Sequence, residues 1–149
     1  MKKALLIVII VLASCKPSTE KKPKAIHFED IHFNAIVVDT HNDILMKAVD
    51  NGVVFDQDLT GKTHSDLDRW KTGGLDVQIF SVFSDGAVKN AFAIANQEMD
   101  SLDAVVARNP SKIVKATNYS DILKAVKENK IAALFGVEGG HMTNVNHHS

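Results

Sequence analysis

The sequence predicts an α/β fold built on a parallel sheet, and three observations carry that reading. Residues 35–39 (AIVVD), 75–83 (LDVQIFSVF) and 131–137 (IAALFGV) are short apolar runs without strict polar alternation, as strands covered on both faces are. Helical patterns separate them. The composition, 45% hydrophobic and 23% charged over 149 residues, suits a globular unit and argues against disorder.

Each element has a local reason. The first run ends in polar residues at Asp39, the second follows Gly73-Gly74, and the third is closed by Gly139-Gly140. Ser65-Asp66-Leu67-Asp68 has capping-box spacing, so a helix starts there and stops after Trp70 at the glycine pair. A long helix is expected over 87–108, capped by Asp85 and ended by Asn109-Pro110. Its apolar stripe, Val88, Phe92, Ala95, Met99, Leu102 and Val106, reads as core packing rather than a ligand surface. A last helix over 121–128 takes Ser120 as N-cap and packs through Ile122, Ala125 and Val126. Strands alternating with helices imply right-handed βαβ units, about three strands in all, with no internal repeat and no second domain.

The first residues read as an export signal. Met1-Lys2-Lys3 is followed by ten apolar residues, 4–13, about half of what a spanning helix needs. Leu12-Ala13-Ser14-Cys15 resembles the bacterial lipobox, which predicts a lipoprotein signal peptide over 1–14 and a lipidated Cys15. Residues 15–34 then form a tether and entry segment, with Pro17, Pro23 and several lysines, before the folded part at 35–149. The expected location is the bacterial cell envelope, attached by acyl chains. Cys15 is the only cysteine, so an internal disulfide and a cysteine metal cage are both excluded. Loss of Lys2 and Lys3 takes the net charge from -1 to -3, which offers no basic face to anionic lipid or to nucleic acid.

The chemistry concentrates at strand ends. Asp39-Thr40-His41-Asn42-Asp43 follows the first run. Were the chain to stay extended, His41 and Asp43 would share a side-chain direction and could grip one cation, with Asp39 orienting the imidazole from behind. As a turn or a capping group the same H-x-D spacing would be unremarkable. Glu138 ends the third strand in Gly136-Val137-Glu138-Gly139-Gly140-His141, and a carboxylate near a core is costly unless paired or metal-bound. All C-terminal ends of a parallel sheet open on one side, so His41, Asp43 and Glu138 should converge on one rim. Mixed nitrogen and oxygen donors suit Zn²⁺ or a similar ion, and a carboxylate can bridge two.

Other histidines read more blandly. His27 and His32 fall in the entry segment as surface or packing residues, and His64 lies in a loop. His141 is either a group supporting the site or a solvated side chain. Gly61-Lys62-Thr63 lacks the upstream glycine of a phosphate loop, where Asp56 stands instead. His147 and His148 are adjacent on a terminus and point different ways, so they are poor replacement ligands.

The segments VVDTHND (37–43), DLDRWKTGGLDVQIFSVF (66–83) and IAALFGVEGGH (131–141) resemble the membrane dipeptidase, or renal dipeptidase, family of zinc peptidases, in order and in separation. The resemblance implies a (β/α)₈ TIM-type barrel, of which this chain would be the N-terminal part, and a binuclear zinc site that hydrolyses dipeptides with a metal-activated water. It further implies that His41 and Asp43 bind one zinc and that Glu138, the residue with a catalytic part, bridges both. A complete barrel takes about 250 residues. The family's two further zinc-binding histidines and its acidic catalytic residue come from later strands, and the tail after His141 (MTNVNHHS) departs from the family pattern. The expectation is therefore a dipeptidase by family and an inactive chain by itself. The alternative is a non-catalytic or vestigial lipid-anchored protein with at most half a metal site, stable only if its open edge is covered, for instance in a homodimer.

Overall fold

A computed structural model describes residues 25–143, and within them every strand runs in the same direction. The predicted signal peptide, Cys15, most of the tether, and His147 and His148 lie outside the described residues. In chain order the elements are α1 (Phe28–His32), β1 (Val38–Asn42), α2 (Ile44–Asn51), α3 (Leu67–Thr72), β2 (Val77–Val82), α4 (Ala91–Arg108), β3 (Ile113–Lys115), α5 (Tyr119–Lys127), β4 (Ile131–Val137) and a 3₁₀ turn (Gly140–Thr143). The sheet order is β1-β2-β4-β3.

There are four strands, one more than the sequence predicts. The extra one, β3, has three residues pairing Ile113–Lys115 with Ile131–Ala133, too few to show a periodicity. β4 has its predicted bounds, and β2 is a trimmed version of its run. β1 departs most, starting at Val38 instead of residue 35 and continuing through the polar motif to Asn42. It is also an edge strand. Ile36 and Val38 remain 48% and 51% exposed, against the expectation of a strand covered on both faces.

β2 and β4 form the centre. Phe80 and Val82 are fully buried, as are Ile131 and Ala132, whereas burial falls away along β4 until Val137 is 49% exposed. β4 is thus covered at its N-terminal end and open at its C-terminal end. Phe55, Trp70 and Phe80 meet with ring centroids 5.7–5.9 Å apart, packed with Leu45, Leu67 and Leu102 in one core. The entry segment closes on the glycine pair, where His32 Nε2 lies 2.7 Å from the Gly73 carbonyl oxygen. Gly74 has φ +78°, and a Cβ there would meet the Phe33 ring at 2.9 Å.

Helix starts move with the groups that cap them. α3 is capped by Asp66, which accepts from the Arg69 N–H at 2.9 Å, rather than by Ser65. α5 begins at Tyr119 because Asn118 accepts from the Asp121 N–H at 3.0 Å, leaving Ser120 inside the helix. α4 begins at Ala91, four residues later than expected, since Asp85 is used in a turn to Val88 and Asn90 adopts a left-handed φ of 62°. Its buried face is rotated accordingly. Ala91, Ala95, Glu98, Leu102 and Val105 point inward, while Val88 and Phe92 are 38% and 45% exposed. Glu98, a charged residue type, thus occupies a core position that apolar counting passed over.

Candidate metal centre

Three chain segments build the open rim. β1 is irregular, for Asp39 pairs with Gln78 but Asn42 already pairs with Phe80, so one extra residue bulges out around Thr40 and His41. The buried Gln78 secures this bulge from β2, its Nε2 donating to the Asp39 carbonyl at 3.3 Å and its Oε1 accepting from Asn42 Nδ2 at 3.2 Å. Asp39 does not orient the imidazole. Its Oδ1 accepts the backbone N–H of His41 at 3.1 Å, while the ring's Nε2 turns the other way.

Asp43 reaches His41 through a turn and not through continued extension, because the strand stops and α2 starts at Ile44. The N-cap of a helix ordinarily spends its carboxylate on the first N–H groups. Here Asn42 Oδ1 takes the Ile44 N–H at 3.1 Å, and the Asp43 side chain makes no capping bond. Its Oδ1 lies 3.2 Å from His41 Nε2. Across the rim, Glu138 follows β4 and is tied to β2 twice, by its N–H to the Val82 carbonyl at 3.1 Å and by Oε2 accepting from Ser81 Oγ at 3.2 Å. The same Oε2 is 3.4 Å from His41 Nε2.

One donor atom from each of His41, Asp43 and Glu138 therefore lies within 4.8 Å of the others. All three side chains are about half exposed, 56%, 50% and 50%, so Glu138 does not carry the buried-charge cost expected from its place after an apolar strand. His41 and Glu138 border a shallow pocket of about 330 Å³ with Thr40, Ser81 and Gly136. A larger groove of about 660 Å³ runs past the other side of Asp43, between Lys47 of α2 and the loop holding Lys62 and His64.

His141 is not part of the trio. The 3₁₀ turn carries it to the loop after β2, where Nε2 is 2.9 Å from the Ser84 carbonyl oxygen and the ring stands edge-on to Phe83. Gly139 makes this possible, since at φ +88° a Cβ would sit 2.5 Å from the imidazole. Sequence reasoning missed Gln78 and Ser81. The signal was available, two uncharged polar residues inside the run LDVQIFSVF, each of which must find a hydrogen-bond partner if buried.

The donor types suit a zinc ion. Ligands about 2.1 Å from a tetrahedral centre lie roughly 3.4 Å from one another, close to the 3.2 and 3.4 Å found around His41 Nε2, while the trio as a whole spreads over 4.8 Å. A family model of the membrane dipeptidases, peptidase family M19, matches residues 26–147, which takes in every element of the sheet and all three donors. That family is zinc-dependent and folds as a TIM barrel, in keeping with the parallel strands and open C-terminal rim seen here. With the match covering most of its length, the chain belongs to the membrane dipeptidase family.

Proposed function

We propose that His41, Asp43 and Glu138 hold a zinc ion as one half of a centre for dipeptide hydrolysis. The observation that supports this most is the gathering of the three donor atoms within 4.8 Å, two of them at 3.2 and 3.4 Å from His41 Nε2, near ligand spacing around a small divalent cation. When bound there, zinc supplies Lewis acidity, lowering the pKa of a water and polarising the peptide carbonyl. The chain's own residues supply placement. His41 and Asp43 would hold the ion from the end of β1 and Glu138 from the end of β4, and Ser81 Oγ donates to Glu138 Oε2 and so steadies that carboxylate. The pocket beside Ser81 and Gly136 leaves room for a small substrate backbone.

The family's reaction uses two metals, and three donors complete one site only. We expect the purified 149-residue chain to take one zinc and to leave dipeptides intact. Equilibrium dialysis and a dipeptide turnover assay decide this. Absence of zinc uptake would remove the metal reading, and turnover with two tightly held zincs would remove the half-site reading. The non-catalytic alternative draws its support from the same count of donors among the described residues.

Attachment to a membrane through Cys15 also belongs to this proposal. No helix among the described residues is long and apolar enough to cross a bilayer. Attachment is proposed to rest on the acyl group at Cys15, and Cys15→Ser should release the protein from the membrane fraction. A second copy of the chain is the partner proposed for the open flank of β1, where Ile36 and Val38 face solvent. Sedimentation would show a monomer if that is wrong.

A further inference from the structure

The peptide unit joining Val82 to Phe83 is held from both sides. Its carbonyl accepts the Glu138 N–H at 3.1 Å. Its N–H donates to Glu98 Oε2 at 2.9 Å. β1 offers no acceptor there, because its last paired residue, Asn42, lies opposite Phe80 and the chain then turns into α2. A side chain from α4 fills the place that a neighbouring strand's carbonyl would take.

Glu98 is an expensive residue for that duty. It is fully buried, it sits in a stripe otherwise made of Ala91, Ala95, Leu102 and Val105, and its Oε1 has no partner among the described residues. Packing alone would be served better by leucine, since a buried polar group costs free energy unless it returns hydrogen bonds. What Glu98 returns is the anchored Phe83 N–H, one peptide away from the backbone of Glu138.

We propose that Glu98 is a positioning residue for the candidate metal centre, fixing the Val82–Phe83 peptide and through it the direction in which Glu138 leaves β4. The link to zinc rests on the reading of His41, Asp43 and Glu138 given above; the link between Glu98 and the Glu138 backbone does not. Loss of the acceptor leaves a buried N–H unpaired, so the peptide turns toward another partner and the Val82 carbonyl moves with it. Loss of a group that supports a metal ligand typically costs about 10–100-fold in metal affinity, so a small rotation is felt.

The test compares the full chain with its Glu98→Gln and Glu98→Leu variants, measuring zinc affinity and amide hydrogen exchange at Phe83 and Glu138. Glutamine keeps an oxygen acceptor and should hold both readings within about threefold of the original. Leucine should speed exchange at both amides and weaken zinc binding, each by about tenfold or more. Unchanged exchange and unchanged zinc affinity in Glu98→Leu overturn the proposal. Should the original chain take no zinc, the metal reading fails by itself, and exchange at Phe83 and Glu138 alone supports or overturns the role of Glu98. Should Glu98→Leu not fold, the Phe83 amide resonance followed from pH 5 to pH 9 decides. It should move with pH in the original chain more than in Glu98→Gln, and identical behaviour in the two overturns the contact. Asp43, just before α2, and Asp50 of α2 act on Glu98 by charge, and they, like Lys47 of α2, Asp85 of the loop after β2 and His141 of the 3₁₀ turn, are common to both proteins.

Discussion

Two carboxylates, Asp66 and Glu138, both sit at the end of an element and both face a basic side chain, yet they serve opposite ends. Asp66 is 2% exposed and fully engaged, accepting from the Leu59 and Arg69 N–H groups at 3.0 and 2.9 Å and from Arg69 Nε at 2.8 Å. Burial alone would raise its pKa, but these donors outweigh burial and hold it below the usual carboxylate range. Glu138 is half exposed, and Oε2 meets Ser81 and His41 beside an acidic neighbour, Asp43. A carboxylate whose oxygens are consumed by the fold is a structural part. One left in the open, sharing an imidazole with a second carboxylate, is arranged for something that arrives from outside.

Substitutions at the two places should therefore separate stability from metal uptake. Asp66→Ala takes the acceptor from the Leu59 and Arg69 N–H groups and uncaps α3, while the Arg69 side chain, 37% exposed, can turn to water, and should cost about 2–3 kcal/mol in urea unfolding. Glu138→Ala should do the reverse. Zinc affinity falls by more than about 100-fold, beyond the loss typical of outer-shell changes, while stability stays within about 0.5 kcal/mol, as for ordinary surface positions. If Glu138→Ala unfolds the chain instead, the contrast between the two carboxylates is wrong.

A third comparison is made by pH. Burial, opposed by the Phe83 N–H and reinforced by the negative charges of Asp50 and Asp43, pushes Glu98 up to about 7. A raised carboxylate pKa means that the folded state holds the proton more tightly than the unfolded state. Its stabilising contribution is complete below the unfolded value and is lost as pH rises through about 7. Asp66 has the opposite sign, contributing above its unfolded value and failing as pH falls. Stability measured from pH 4.5 to pH 8 should fall by an amount on the order of 2–3 kcal/mol, and Glu98→Gln should flatten that slope. The smallest effect belongs to Lys112→Ala. Its bond to Asp68 spans 2.6 Å, but both partners are exposed, so thermal unfolding should register less than about 1 kcal/mol.

The sheet's middle strands were legible because apolar runs bounded by glycine leave few other readings, and β4 ends where its sequence run ends. The rim residues were legible by placement, since every parallel strand delivers its C-terminal end to one side. How His41 and Asp43 meet was not. Strand alternation suggested one route and a helix start supplied another, because whether Asn42 or Asp43 caps α2 depends on Gln78 holding Asn42 from a different strand. The same limit applies to α4. A stripe of apolar residues finds the helix, but its rotation depends on what packs against it, and here the inward face admits Glu98 and rejects Phe92. Cap choices were missed by one position at Asp66 and by two at Asn118, as competing Ser, Asp and Asn neighbours allow.

The extra residue in β1 has a consequence for how this motif can change over time. Between Asp39 and Asn42 the chain uses three steps where β2 uses two, so the aim of the imidazole is written in chain length as well as in residue identity. Removing Thr40 would keep His41, Asp43 and Glu138 in the sequence and restore an even ladder, with His41 alone opposite Ile79, and so would change the reach of the imidazole toward its two carboxylates. Point changes tune the chemistry of such a motif, whereas an insertion or deletion within it resets its geometry.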